Sequence, residues 1–173
     1  MAKTKINRPV KLLLGFIILL ILVIALFAYL NRSPDQVREG TLTVKAGGKT
    51  VDVLSIADLK KLPAVQKNMV IHSGQGNTEN YFTGTSLLAI LHSIDPTLTQ
   101  RYKKIVTKGI DNYTSGLDMS EVMQPDNVYI VYADHGQPLT TKTGQPGSLR
   151  IIICNDDYGQ RYTKWLVSLE LQN

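Results

Sequence analysis

Residues 72–84 read HSGQGNTENYFTG, with one histidine, three glycines, many hydrogen-bonding side chains and no aliphatic residue, and they lead into the apolar TSLLAIL. A loop of that composition ahead of a helix start can cradle an anion, because the first N–H groups of a helix have no partner within it. It can equally be a solvated connection. The other side chains with chemistry to offer are sparse. His72, His92 and His135 are too scattered for a His-x-x-x-His zinc site, and one cysteine cannot make a Cys-x-x-Cys pair. No Gly-x-Ser-x-Gly elbow or penicillin-binding set is present, so serine hydrolase chemistry has no support. His92 falls late on an amphipathic segment and reads as packed or surface. His135, in ADHGQPL, reads as an exposed turn. His72, at a strand end facing the glycine-rich stretch, is the histidine placed to meet a ligand. Cys154 closes the apolar run SLRIIIC and reads as a small hydrophobe in a buried strand.

These residues need elements to hold them. TLTVKA, Gly47-Gly48 and TVDVL alternate with period two around a glycine turn, the pattern of a β-hairpin. In SIADLKKLP, Ser55 caps a short helix, Asp58 takes the capping-box position and Pro63 ends it. VQKNMVIH is a strand running to the start of the 72–84 loop. Thr85 or Ser86 caps the next helix, whose Leu87, Leu88, Ile90, Leu91 and Ile94 make an apolar face closed by Asp95 and Pro96. A strand near KKIVTK, the loop GIDNYTSG, a short helix in LDMSEVM, and strands NVYIVYA, SLRIIIC and YTKWLVSLEL complete the chain. Strands with short inserted helices predict an α+β domain built on a mixed or largely antiparallel sheet.

The 173 residues and 43% hydrophobic content allow one ordinary domain. The apolar residues are unevenly spread. Residues 12–31, LLLGFIILLILVIALFAYLN, carry no charge over twenty positions, and Lys3, Lys5, Arg8 and Lys11 precede them. At about 1.5 Å per residue the segment is roughly 30 Å long, the depth of a bilayer core. It is too long for the apolar part of a signal peptide, and no small-x-small cleavage site follows. The expected organisation is a basic cytoplasmic tail at 1–11, a transmembrane anchor at 12–31, a linker at 32–39 and an extracytoplasmic domain at 40–173. The excess of positive charge before the span places the N-terminus in the cytoplasm. Five of the 19 Lys and Arg flank the span, leaving fourteen against all fourteen Asp and Glu in the exported part. A neutral domain argues against nucleic acid as partner. With a single cysteine, no internal disulfide forms.

In order along the chain, TLTVKAGGKTVDVLSIADLKKLP, YFTGTSLLAIL, GIDNYTSGLDMSEVMQPDNVYIVYADHGQPL, PGSLRIII and YTKWLVSLEL resemble the catalytic-domain fold of sulfite oxidases and the related bacterial molybdopterin-binding oxidoreductases. The resemblance covers about residues 40–171. It implies a pterin pocket to which His72, Gly84, Thr85, Asp111, Tyr113, Arg150, Lys164 and Trp165 correspond. Backbone N–H groups at a helix start and cationic side chains are suited to a pterin phosphate.

The departures from the family pattern weigh against the chemistry. The family presents a cysteine thiolate to molybdenum from the loop before the Thr-Gly helix, and residues 70–84 contain no cysteine; the position falls close to His72. Imidazole is a poor substitute for a soft anionic ligand. Asn112 stands for the glycine of an Asp-Gly-Tyr loop, and two extra residues separate Pro146 from Leu149-Arg150. Family members exported with their cofactor leave the cell folded by a twin-arginine signal, whereas NRPVK offers one arginine. The expectation is therefore a membrane-anchored binding or accessory module that keeps the fold, with no cofactor bound, or molybdopterin if any. A molybdopterin oxidoreductase with unusual ligands, and a binder of another anionic small molecule such as a nucleotide or flavin, are the alternatives. A protein neighbour in the same membrane is the expected macromolecular partner.

Overall fold

The computed structural model describes residues 8–30, 37–74 and 76–173, in two compact units, Met1–Gln36 and Val37–Asn173. The first contains one helix, α1 (Arg8–Leu30), of 23 residues. Its described side chains, from Leu13 to Phe27, are all exposed. No helix among the described residues is long and apolar enough to cross a membrane; the side chains on either side of that stretch lie outside the description. Residues 1–7 of the expected tail, Asn31 of the expected anchor and residues 32–36 of the expected linker also lie outside it.

The second unit is a two-sheet α+β domain. Strands β1 (Thr41–Ala46) and β2 (Lys49–Ser55) form the expected hairpin. Gly47 and Gly48, with φ of 57° and 78°, supply the two left-handed positions that a tight hairpin turn needs. β5 (Lys104–Gly109), β6 (Thr114–Asp118) and β10 (Leu166–Gln172) complete this sheet in the order β2-β1-β10-β5-β6. It is mixed, because the last strand runs parallel to the first, Thr43 opposite Ser168. The second sheet is antiparallel throughout: β3 (Ala64–Ser73), β4 (Gly76–Ser86) and β7 (Val128–Asp134), with the short β8 (Gln137–Pro138) and β9 (Arg150–Ile153) both on the far side of β7.

The helices are short and capped as their sequences require. Ser55 and Asp58 form the capping box of α2 (Ile56–Leu59), and Ser86 caps α3 (Leu87–Ile94) by accepting from the Ala89 N–H at 3.3 Å. A brief α4 (Leu98–Arg101) follows Pro96, and α5 (Met119–Met123) has a second capping box from Asp118 and Glu121. Leu87, Ile90 and Leu91 bury the inner face of α3 in a core shared with Leu42 and Val44 of β1, Leu169 and Leu171 of β10 and the whole run from Val128 to Tyr132. β7 is buried on both faces, which is why its sequence is a continuous apolar run.

Two expectations about connections are corrected. The 72–84 loop is a hairpin: β3 and β4 pair through ten partners, from Ala64 opposite Thr85 to Ser73 opposite Gly76. Aliphatic residues are absent from β4, but Thr78, Thr83 and Thr85 with Tyr81 and Phe82 are strand formers. Asn80, Phe82 and Gly84 share its inner face. GIDNYTSG is likewise only in part a loop. It leaves β5 at Gly109, turns at Asn112 and re-enters a strand at Thr114. Asn112 has φ of 68°, a conformation that asparagine tolerates, so replacing the family's glycine leaves the turn intact.

Candidate functional site

Lys164 and Trp165 stand just before β10, at the border of two neighbouring depressions. One, of about 240 Å3, is lined by Leu139, Thr140, Ser148, Leu149 and Arg150 together with that pair. The other, of about 260 Å3, carries Asp111, Tyr113, Gly159, Gln160 and Tyr162 with the same pair. Five of the eight sequence-predicted residues, Asp111, Tyr113, Arg150, Lys164 and Trp165, are thus brought together from three distant segments.

The way they are held explains the local backbone. Trp165 has φ of 49°, an outlier for a bulky side chain. Its carbonyl accepts from the Ile110 N–H at 3.0 Å and its indole Nε1–H donates to the Thr140 carbonyl at 3.1 Å. On one flank Thr163 is buried, its hydroxyl 2.6 Å from that of Thr107. On the other, the Leu166 N–H donates to Leu149 at 2.8 Å. Several neighbours therefore over-determine the strained residue. The Asp111 turn approaches closely because Gly109 has no side chain: a Cβ there would lie 2.6 Å from Asp111 Oδ1 and 2.8 Å from the Lys164 carbonyl oxygen. Asp111 Oδ1 accepts from the Tyr113 N–H at 3.1 Å, and the Tyr113 hydroxyl donates to the Gln160 carbonyl.

Arg150 lies under this region, paired by an isolated bridge to Lys164. Its guanidinium sits over the Phe82 ring, 5.5 Å from the centroid. Burial pulls its pKa below the usual arginine range, and the charge of Asp134 opposes that shift. Asp134 also accepts from Asn80 Nδ2 at 2.7 Å and the Tyr81 N–H at 2.8 Å. Asn80 Oδ1 is buried without a hydrogen-bond partner among the described residues.

Gly84 and Thr85 are not in either depression. Gly84 is buried where β4 crosses β7, and a Cβ there would be 2.3 Å from the Ile130 carbonyl oxygen. Thr85 is fully buried and donates to the Pro63 carbonyl at 2.9 Å. Both are buried in the β4 ladder, and the helix start they were expected to open lies at the end of a strand rather than of a loop. His72 is on the exposed arm of the hairpin, its Nδ1 2.9 Å from Asn77 Oδ1 and its ring edge-on to Tyr158 at 6.4 Å. It borders a different and larger cavity, of about 740 Å3, which shares no lining residue with the Lys164–Trp165 depressions.

Sequence reasoning missed one member of that cavity. Cys154 lies one residue past β9, half-buried, packed against the edge of the core and also lining the His72 cavity. The apolar run before it hid the strand's end at Ile153. Asn155 and the two aspartates that follow were the signal that the run had left the sheet. Nearby, the Arg161 guanidinium joins Asp156 to Glu121, with Glu121 Oε1 at 2.8 Å. The paired guanidinium holds the Glu121 carboxyl below its ordinary range.

The family model of the oxidoreductase molybdopterin binding domain matches residues 32–173. The chain belongs to that family. Among solved structures it is similar to the sulfane dehydrogenase SoxCD from Paracoccus pantotrophus, at 18% identity with a TM-score of 0.61, over 76% of this chain and 38% of that one. At that identity the likeness is one of fold, and the chain spans well under half of the solved protein. No curated protein matches the chain.

The family implies a molybdopterin group, and the residues present fit it in part. Lys164 and Arg150 are cations of the kind that bind a phosphate. The metal end does not fit. His72 offers an imidazole on an exposed strand where a soft anionic donor is needed, and the thiol of Cys154 belongs to a different element, one residue past β9. The cationic pair and the cavity with Cys154 and His72 are also lined by separate sets of residues.

Proposed function

We propose that this protein is a membrane-anchored accessory module: a molybdopterin-binding-type domain used for binding, without molybdenum redox chemistry. The observation that carries the reading is that residues 70–84, where the order of motifs puts the family's thiolate close to His72, contain no cysteine and form a regular hairpin with His72 exposed and bonded to Asn77. A metal ligand needs a fixed donor directed into the site and supported by a further shell of contacts. In this reading α1 crosses the membrane with residues 1–11 in the cytoplasm, and the domain stands on the outer side beside a membrane protein. The uncharged apolar run of residues 12–31, with Lys3, Lys5, Arg8 and Lys11 before it, supports this. The Lys164–Arg150 region then serves as an anion-binding surface for a small molecule such as a nucleotide or flavin.

A second reading has a specific observation in its favour. Cys154 and His72 line one cavity, so a molybdopterin oxidoreductase with an atypical ligand set would draw on those two side chains. Elemental analysis and an oxidised-pterin fluorescence assay on the full-length protein from its own membranes separate the two. Folded protein without molybdenum or pterin is the expected result. Molybdenum and pterin near one per chain would overturn the module reading.

A further inference from the structure

A strand at the edge of a sheet exposes a row of N–H and C=O groups, and most natural edges are guarded by a bulge, a proline, an outward lysine or short length. The edges of this domain differ in that respect. β2 has Lys49, and its ladder shifts register between Val44 and Lys45 of its partner. β6 is five residues long, and the Arg161 guanidinium reaches its Gly116 carbonyl at 3.5 Å. β3 has no bulge, proline or outward lysine; its guards are one inward-pointing charge, Lys67, and the segment at Gly159, which packs against Ile71 near its far end. It has ten residues, an unshifted ladder with β4, and no proline after Pro63. Its one lysine, Lys67, points inward, to Asp126 at 3.4 Å and over the Tyr129 ring at 4.8 Å. The outer side chains are Gln66, Asn68, Val70 and His72, with no acid, lysine or arginine among them. Among the described residues its backbone bonds only to β4.

The 740 Å3 cavity runs along this edge. Lys67, Asn68, Met69 and Val70 all line it. Successive residues of a strand point to opposite faces, so a cavity that touches all four is bounded by the edge of the strand. Asp156 and Asp157 stand on the opposite wall. Asp156 is paired with Arg161, while Asp157 has no ion-pair partner among the described residues.

We propose that the β3 edge is a docking strand, which takes an extended segment of a partner protein as an added strand, with a Lys or Arg opposite Asp157 and a small or apolar side chain beside Val70. Main-chain hydrogen bonds supply affinity in this mode, and the flanking side chains supply selectivity. The proposal rests on the accessory-module reading, since it gives that module its partner. The test is amide hydrogen exchange on the full-length protein in lipid nanodiscs, with the synthetic peptide Thr-Val-Lys-Val-Thr-Val as probe. The expected result is saturable protection, tenfold or more, of the outward amides within residues 64–73, lost with a fully N-methylated peptide. Asp157→Asn should weaken binding severalfold at low salt and less at high salt. Absence of saturable binding, protection confined to other elements, or concentration-dependent protection of β3 without peptide, which would mark a second copy as occupant, would each overturn it. A molybdenum and pterin assay on the same sample keeps the readings apart: loaded protein that still takes the peptide refutes only the redox-free module, and empty protein that does not refutes only the docking strand.

Discussion

The Lys164–Trp165 corner and the His72 hairpin arm were expected to form one pocket, and they are held in opposite ways. At the corner, Ile110, Thr140 and Leu149 bond to Trp165 or its neighbour, and Gly109 clears the space for the Asp111 turn. The His72 ring bonds to Asn77, on the strand paired with its own. A residue held by contacts from distant segments can keep a strained backbone and a defined direction. One held by its own hairpin moves with that hairpin. The difference teaches that the five candidate residues at the corner are fixed by contacts from several segments, whereas His72 belongs to a regular hairpin with one open edge.

The largest expected effect lies where the two regions share a foundation, at the β4–β7 crossing. Gly84→Ala would drive a Cβ into the Ile130 carbonyl and Val131 Cα, backbone atoms that cannot move aside cheaply. A loss of about 3 kcal/mol or more is expected in chemical denaturation, at the upper end of overpacking penalties. A loss below about 1 kcal/mol would mean that the strands separate easily, and the comparison would lose its rigid side.

Next comes the Arg161 clamp, which ties the segment after β9 to α5. Arg161→Ala should cost about 1–2 kcal/mol, allowing for its partial exposure to solvent. The pH dependence has a definite sign. Glu121 has a lowered pKa in the fold, first through the hydrogen bond from Arg161. Its contribution is fully present above the unfolded-state value of about 4.3 and is lost as pH falls through the lower folded value. Glu121→Gln should flatten the stability profile in that acid window; an unchanged profile would remove Glu121 from the clamp.

Thr85→Val should cost about 1 kcal/mol, because the part-buried hydrogen bond from the fully buried Thr85 hydroxyl to the Pro63 carbonyl is lost. Added phosphate or nucleotide should restore none of it if Thr85 serves packing alone; measurement of melting temperature with and without ligand decides. Smallest of all is His72→Ala, expected within about 0.5 kcal/mol of the parent because the side chain is exposed. A large destabilisation, or loss of bound molybdenum from protein that carries it, would erase the contrast between the two regions.

Much of the domain was legible because the responsible signals are local. Gly47-Gly48 between two alternating runs, Ser55 with Asp58, and the apolar face of 87–94 each settle an element within a few residues of themselves. The 72–84 stretch was not legible in the same way. Its aliphatic content is nil, and the partners that make it a strand are Lys67 and Gln66 on one side and Ala133 and Asp134 on the other. Cys154 was misplaced for a related reason, since a strand's end is decided by where its ladder with β7 stops.

Residue order by itself determined the capped helices, the alternating strands, the apolar helix near the N-terminus and the family to which the domain belongs, since periodicity, turn chemistry and motif order are properties of short segments. Only the tertiary structure decided that five of the eight candidate residues meet at Lys164–Trp165, that Gly84 and Thr85 are buried where β4 pairs with β7, and that His72 and Cys154 share a cavity of their own. Those outcomes depend on which strands pair and which faces turn inward, and pairing joins positions such as Phe82 and Asp134 that lie far apart along the chain.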